Sequence, residues 1–158
     1  NIGRRVADIA KAFGCRVIYY STSGRNSQPG YERVSFDELL EQSDIVSIHA
    51  PLDENTLGLM NKEAFAKMKK SAILLNVGRG PIINEADLAE ALNNKTIAAA
   101  GLDVLSVEPM QEDNPLRGIK DSERLLITPH IAWAGVEARN RLMGIILGQI
   151  KEFFKAHE

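Results

Sequence analysis

Apolar and polar positions along the chain follow a helical period and an extended one in turn. Val6, Ile9, Ala10 and Phe13 recur at helical spacing, Gly14 stands where a helix C-cap belongs, and residues 15–20 read as a buried strand. Residues 21–30 are rich in turn formers, and Ser35 with Glu38 makes a capping box that starts a short helix through Gln42. Residues 44–49 predict the next strand, 51–56 a loop, 61–68 a helix and 72–77 a third strand. Residues 78–81 form a tight turn, Asn84 caps a helix through Asn93, 97–104 predict a strand, and 125–128 a final short one. Residues 135–154 read as a long closing helix. Strands separated by helical stretches need crossover connections, so the pattern predicts an α/β fold, a doubly wound, mostly parallel sheet with helices on both faces. One long irregular segment, 106–123, holds Pro109 and Pro115, and loops of that length usually carry a function.

The chain opens on Asn1-Ile2-Gly3 and enters a helix with no strand before it. In a dinucleotide-binding βαβ unit the first strand runs into G-x-G-x-x-G, whose last glycine lets helix and strand pack closely, and Gly3 would be that glycine. The second glycine would then immediately precede Asn1. That strand is the central one in the order 3-2-1-4-5-6, and each buried backbone group left unpaired costs about 1–3 kcal/mol. The expectation is therefore that these residues belong to a longer polypeptide whose upstream strand completes the sheet.

Composition narrows the class of ligand. With 158 residues, 44% apolar and a net charge of −2, the chain suits one folded domain with its own core. Its longest apolar run, residues 97–102, is far short of the roughly 20 residues needed to span a bilayer, which gives the expectation of a soluble, cytoplasmic protein. Cys15 is the single cysteine and the three histidines are widely spaced, so neither a disulfide nor a metal site is expected. Near-zero net charge and the absence of a basic run argue against nucleic acid and leave small molecules as the expected partners.

Three turns follow strand ends, where open α/β sheets bind their ligands. In Asn76-Val77-Gly78-Arg79-Gly80-Pro81 the glycines free the backbone to turn, and Arg79 can project as a bidentate clamp for a carboxylate, or serve only as a surface arginine. Asp103 ends the strand before Glu108-Pro109, although glutamates on loops are usually just solvated. His130 follows the last strand behind Pro129, with Trp133 three residues on; alone, such a histidine is more often structural. Together they form a coherent set in which Arg79 orients an anion, His130 moves a proton and Glu108 supports the imidazolium.

The ordered motifs N-I-G, H-A-P-L, N-V-G-R-G-P, G-L-D-V-L-S-V-E-P and T-P-H-I-A-W resemble those of the D-isomer-specific 2-hydroxyacid dehydrogenases over nearly the whole chain. The resemblance implies a two-domain, usually dimeric enzyme. Residues 1–134 would be the dinucleotide-binding domain, and 135–158 the helix leading back to a substrate domain that lies mostly upstream. It also implies that Arg79 binds the substrate carboxylate and carbonyl, that Glu108 pairs with His130, and that His130 protonates the carbonyl oxygen as hydride arrives from the nicotinamide. Asp103 would hold the carboxamide of that ring. Asn1, Ile2 and Gly3 would lie over the pyrophosphate, Pro51 and Thr56 beside the adenosine half, and Val77 and Gly78 beneath the nicotinamide ribose. Trp133 after His-Ile-Ala resembles the glycerate dehydrogenase, or hydroxypyruvate reductase, subgroup.

Relatives that prefer NAD usually carry an acidic residue at the end of the second strand, where this chain has Ser21, with Arg25 four residues on. NAD is the expected coenzyme and NADP is possible. Hydroxypyruvate or glyoxylate are the favoured substrates, and the isolated chain is expected to be inactive for want of the other domain. A dinucleotide-sensing, corepressor-like binding protein is the alternative; a Rossmann-type methyltransferase explains neither the G-R-G turn nor the Pro-His pair.

Overall fold

The structure, a computed structural model, describes residues 2–157. Short polar side chains set most of the helix starts. The Ser35 hydroxyl accepts from the Glu38 amide while the Glu38 carboxylate accepts from the Ser35 amide at 2.8 Å, which fixes α2 (Phe36–Gln42). Asn61 caps α3 (Lys62–Lys67) and Asn84 caps α4 (Glu85–Asn93), each with its side-chain oxygen on first-turn amides. Gly14, at φ +85°, closes α1 (Ile2–Ala12) as the C-cap pattern requires, with the Cys15 amide reaching back to the Ala10 carbonyl at 3.0 Å.

Four strands, β3 (Ile45–Ile48), β4 (Ile73–Asn76), β5 (Ala99–Leu102) and β6 (Leu125–Ile127), form a parallel sheet in sequence order. The register runs Ile48 to Asn76 to Leu102 to Ile127, so the carboxyl ends of all four strands share one edge. Along β3, β4 and β5 every second side chain is buried: Val46, Ile48, Leu74, Asn76, Ala100 and Leu102. The apolar ones pack with Leu40 of α2, Phe65 of α3 and Leu88 and Leu92 of α4 into one core.

Two features depart from the sequence reading: the extent of the strands near the start of the chain and the face that the helices cover. The strand expected over 15–20 is reduced to β1 (Ile18–Tyr19), and its partner β2 (Glu32–Arg33) has two exposed polar residues and no apolar signature to reveal it. β1 and β2 form a separate two-stranded parallel sheet, with no ladder joining them to β3 among the described residues. Finally, the helices seal one face of the four-stranded sheet, whereas Ile45, Ile73 and Leu126 remain solvent-exposed. α1 and α5 (Val136–Lys155) bury no residue despite their apolar positions. No helix among the described residues is long and apolar enough to cross a membrane.

Candidate active site

The shared carboxyl edge of the sheet collects the chemistry. β3 leads into His49, Ala50, Pro51 and Leu52, which line an open cleft with Gly78 and Arg79 from the turn after β4. β5 leads into Asp103, and β6 into Thr128, Pro129 and His130.

The turn after β4 is held from below. Asn76 is fully buried; its Nδ2 donates to the Arg79 carbonyl at 2.9 Å and its Oδ1 accepts from the Gly78 amide at 3.0 Å. The Arg79 side chain is exposed and donates from Nη1 to the Gly78 carbonyl at 2.8 Å, leaving the rest of its guanidinium fork for a ligand. Gly80 presses against the next loop so closely that a Cβ there would lie 2.0 Å from the carbonyl carbon and oxygen of Leu105. Arg79 is thereby set beside the segment that carries Glu108.

Glu108 is anchored through Oε1, which accepts from the Leu105 amide at 2.9 Å, while Oε2 accepts from His130 Nδ1 at 2.8 Å. The Leu105 amide and then the His130 imidazole hold the Glu108 carboxyl below its ordinary range, so it is ionised near neutral pH. A carboxylate can only accept, so Nδ1 carries the proton in this pair. Nε2 is left as the imidazole nitrogen able to exchange a proton with a ligand. His130 adopts φ +55°, a left-handed conformation that costs a non-glycine residue roughly 1–2 kcal/mol.

The sheet also assembles a clamp for that residue. Asp103 is 5% exposed; its Oδ1 accepts from the Thr128 hydroxyl and from the Ile131 amide at 2.9 Å, and its Oδ2 from the Ala132 amide at 2.8 Å. Burial by itself would raise the Asp103 carboxyl, but the donors from Thr128, Ala132 and Ile131 outweigh it and leave it below the ordinary value. A carboxylate offers about four acceptor positions, so three donors leave room for one more at Oδ2.

The structure thus brings Glu108 and His130 together, ties Asp103 to the His130 loop, and connects Arg79 to them through Gly80 and Leu105. Among the described residues Arg79 makes no hydrogen bond to either Glu108 or His130. The cofactor-side residues are dispersed along the same edge. Gly3, at the start of α1, abuts the carboxyl end of β3, where an added Cβ would meet His49 Cβ at 3.1 Å; the first turn of α1 holds no acidic residue. Ile2 is exposed there, and Asn1 lies outside the described residues. A helix start of this kind, whose first amides have no partner within the helix and whose first turn has no acidic side chain, fits a pyrophosphate. Val77 and Trp133 are exposed, and Gly78 packs under the backbone of Ala50.

Two hydroxyls serve their own loops. Thr56 is fully buried and donates to the Pro51 carbonyl at 2.7 Å, closing the 51–56 loop, so it shapes the wall next to Pro51 and exposes no hydroxyl to a ligand. Ser21, 5% exposed, accepts from the Asn26 amide at 3.3 Å. The loop after β1 exposes Arg25 and is overlain by Arg33, whose Nη1 donates to the Gly24 carbonyl at 3.0 Å. Sequence reasoning missed Arg33, Asn76 and Thr128. Asn76 at a buried strand end was a legible signal, whereas Arg33 reaches back nine positions across an irregular loop and the Thr128 contact joins residues 25 apart.

Residues 1–132 match the family model described as D-isomer specific 2-hydroxyacid dehydrogenase, NAD binding domain. The chain is 47% identical over 160 residues to hydroxypyruvate reductase of Blautia hydrogenotrophica, a match covering 98% of this chain and 48% of that protein. Its fold superposes on D-lactate dehydrogenase from Aquifex aeolicus complexed with NAD and lactic acid, with a TM-score of 0.89, 28% identity, and coverage of 98% of this chain and 51% of that one. An acyclic imino acid reductase in complex with NADPH and D-Arg gives a TM-score of 0.87 at 34% identity, covering 98% of this chain and 48% of that one. The chain spans about half the length of these relatives.

Proposed function

Because the chain belongs to the D-isomer specific 2-hydroxyacid dehydrogenase family, through its NAD-binding domain, we propose that its parent protein reduces small 2-keto acids to D-2-hydroxy acids, with hydroxypyruvate or glyoxylate favoured. The observation that carries this reading is the pair of His130 Nδ1 and Glu108 Oε2, 2.8 Å apart at the sheet's carboxyl edge and beside the Arg79 turn. A nicotinamide coenzyme, when bound, supplies the hydride. Arg79 pairs with the substrate carboxylate and so sets the ketone's orientation. Glu108 fixes the imidazole through Nδ1, and Nε2 gives its proton to the carbonyl oxygen as that oxygen gains charge. The result is an alcohol in which carbon has gained hydride and oxygen a proton.

The residues suited to the coenzyme are the start of α1 for the pyrophosphate, the Pro51 loop and Gly78 for the walls, and the remaining acceptor position of Asp103 for the carboxamide. Domain boundaries at 1–134 and 135–158, a strand from preceding residues beside β1 and β3, a homodimer and a cytoplasmic location belong to the same proposal. So does the absence of turnover in the isolated chain.

The test is steady-state reduction of hydroxypyruvate and glyoxylate by the full-length protein, with NADH and NADPH compared. Turnover of either keto acid is expected, and turnover of neither with both coenzymes refutes the reading. The loop after β1 contains no carboxylate, and Arg25 and Arg33 flank it, so NADPH should also be accepted. Arg25→Ala is expected to raise KM for NADPH while leaving that for NADH nearly unchanged. Equal effects on both coenzymes would remove Arg25 from recognition of the 2′-phosphate.

A further inference from the structure

We propose that Thr128 is a positioning residue for the proton donor, acting through Asp103; the proposal rests on the reading of His130 as that donor. His130 and Glu108 retain 42% and 36% side-chain exposure, so packing alone does not fix the geometry between them. Their backbones must do so. Glu108 is tied down by the Leu105 amide, and the equivalent support for His130 comes from Thr128 and Asp103.

Thr128 bonds three ways at once. Its amide donates to the Leu102 carbonyl at 2.9 Å, extending the β5 and β6 ladder by one step, and its carbonyl accepts from the His130 amide at 2.9 Å across Pro129. Its hydroxyl donates to Asp103 Oδ1. The same carboxylate accepts the amides of Ile131 and Ala132, the two residues after the left-handed His130. The Asp103 carboxylate therefore grips the chain on both sides of the imidazole, and the Thr128 hydroxyl holds that carboxylate in the one orientation that reaches both amides. Without the hydroxyl, Asp103 gains freedom to rotate and an unfilled acceptor position in a buried site. The left-handed turn then loses its support and the imidazole leaves its alignment with Glu108. Thr128 acts on the imidazole through Asp103, whose remaining acceptor position is the one assigned to the carboxamide.

The experiment compares Thr128→Val and Thr128→Ser with wild type in the full-length protein, using two readouts. One is the proton NMR resonance of His130 Nδ1–H in its hydrogen bond to Glu108, which requires no turnover. The other is kcat, KM and the pH profile for keto-acid reduction. Thr128→Val is expected to weaken or abolish the Nδ1–H resonance and to lower kcat about tenfold, with KM for the keto acid within about twofold of wild type. Thr128→Ser, which keeps the hydroxyl, is expected to restore both readouts. A Val variant with wild-type resonance and kcat overturns the proposal. So does a Ser variant that loses the resonance, and this outcome decides the matter even if Val does not fold. Should wild type show no turnover, the reading of function fails while the resonance still decides the role of Thr128.

Discussion

Replacing His130 by glutamine in the full-length protein is expected to lower kcat for keto-acid reduction by about 10²–10⁴ while KM for the coenzyme stays within a few fold, as loss of a proton donor requires. Glutamine keeps polarity and approximate reach but cannot release a proton to a forming alkoxide. The prediction depends on the ionisation of Glu108. That carboxyl lies below its ordinary range because the Leu105 amide and the His130 imidazole stabilise its charged form, so at neutral pH a full negative charge sits 2.8 Å from Nδ1. Glu108→Gln removes that charge and the acceptor that fixes Nδ1–H, and is expected to lower kcat as well. Steady-state kinetics across pH on both variants tests the pair as a unit. Turnover by His130→Gln within tenfold of wild type would place the proton donor elsewhere.

Gly80→Ala is expected to disturb both stability and catalysis. A methyl group there would sit 2.0 Å from the Leu105 carbonyl carbon and oxygen and 2.4 Å from the Ser106 nitrogen, all backbone atoms that cannot swing aside as a side chain would. One of the two loops must move, and overpacking of this kind costs about 1–3 kcal/mol. The displaced backbone includes Leu105, whose amide anchors Glu108, so the strain passes directly to the partner of His130. Arg79, next to Gly80, shifts with it. Thermal melting should therefore fall by several degrees and kcat should drop along with it. Gly118→Ala is the control, since a Cβ at Gly118 meets nothing within 4 Å. Equal melting temperatures for the Gly80 and Gly118 variants would show that the two loops are not locked together.

Local chemistry was the legible part of this fold. The Ser35 and Glu38 box, the Asn84 cap and the Gly14 C-cap are each written within five residues, and all three form as read. Crossovers between apolar strands implied a parallel sheet, and every strand pair is parallel. What the sequence concealed depends on register. Asp103 and Thr128 are 25 positions apart and meet because Leu102 pairs with Ile127, a fact that no local pattern records. The sequence therefore could not say which loop Asp103 holds, and in the structure it is the His130 loop. The hydroxyls of Thr56 and Ser21 likewise close their own turns, which spacing along the chain could not reveal. β2 escaped because its two residues are polar and exposed.

The full-length protein crystallised with NADH and oxamate, an unreactive mimic of a 2-keto acid, puts the arrangement of guanidinium, carboxylate and imidazole to the most direct test. The expected complex has the oxamate carboxylate on the Arg79 guanidinium and its carbonyl oxygen within about 2.6–3.2 Å of His130 Nε2, with Glu108 still on Nδ1. Oxamate bound beyond the reach of both Arg79 and His130 would contradict it.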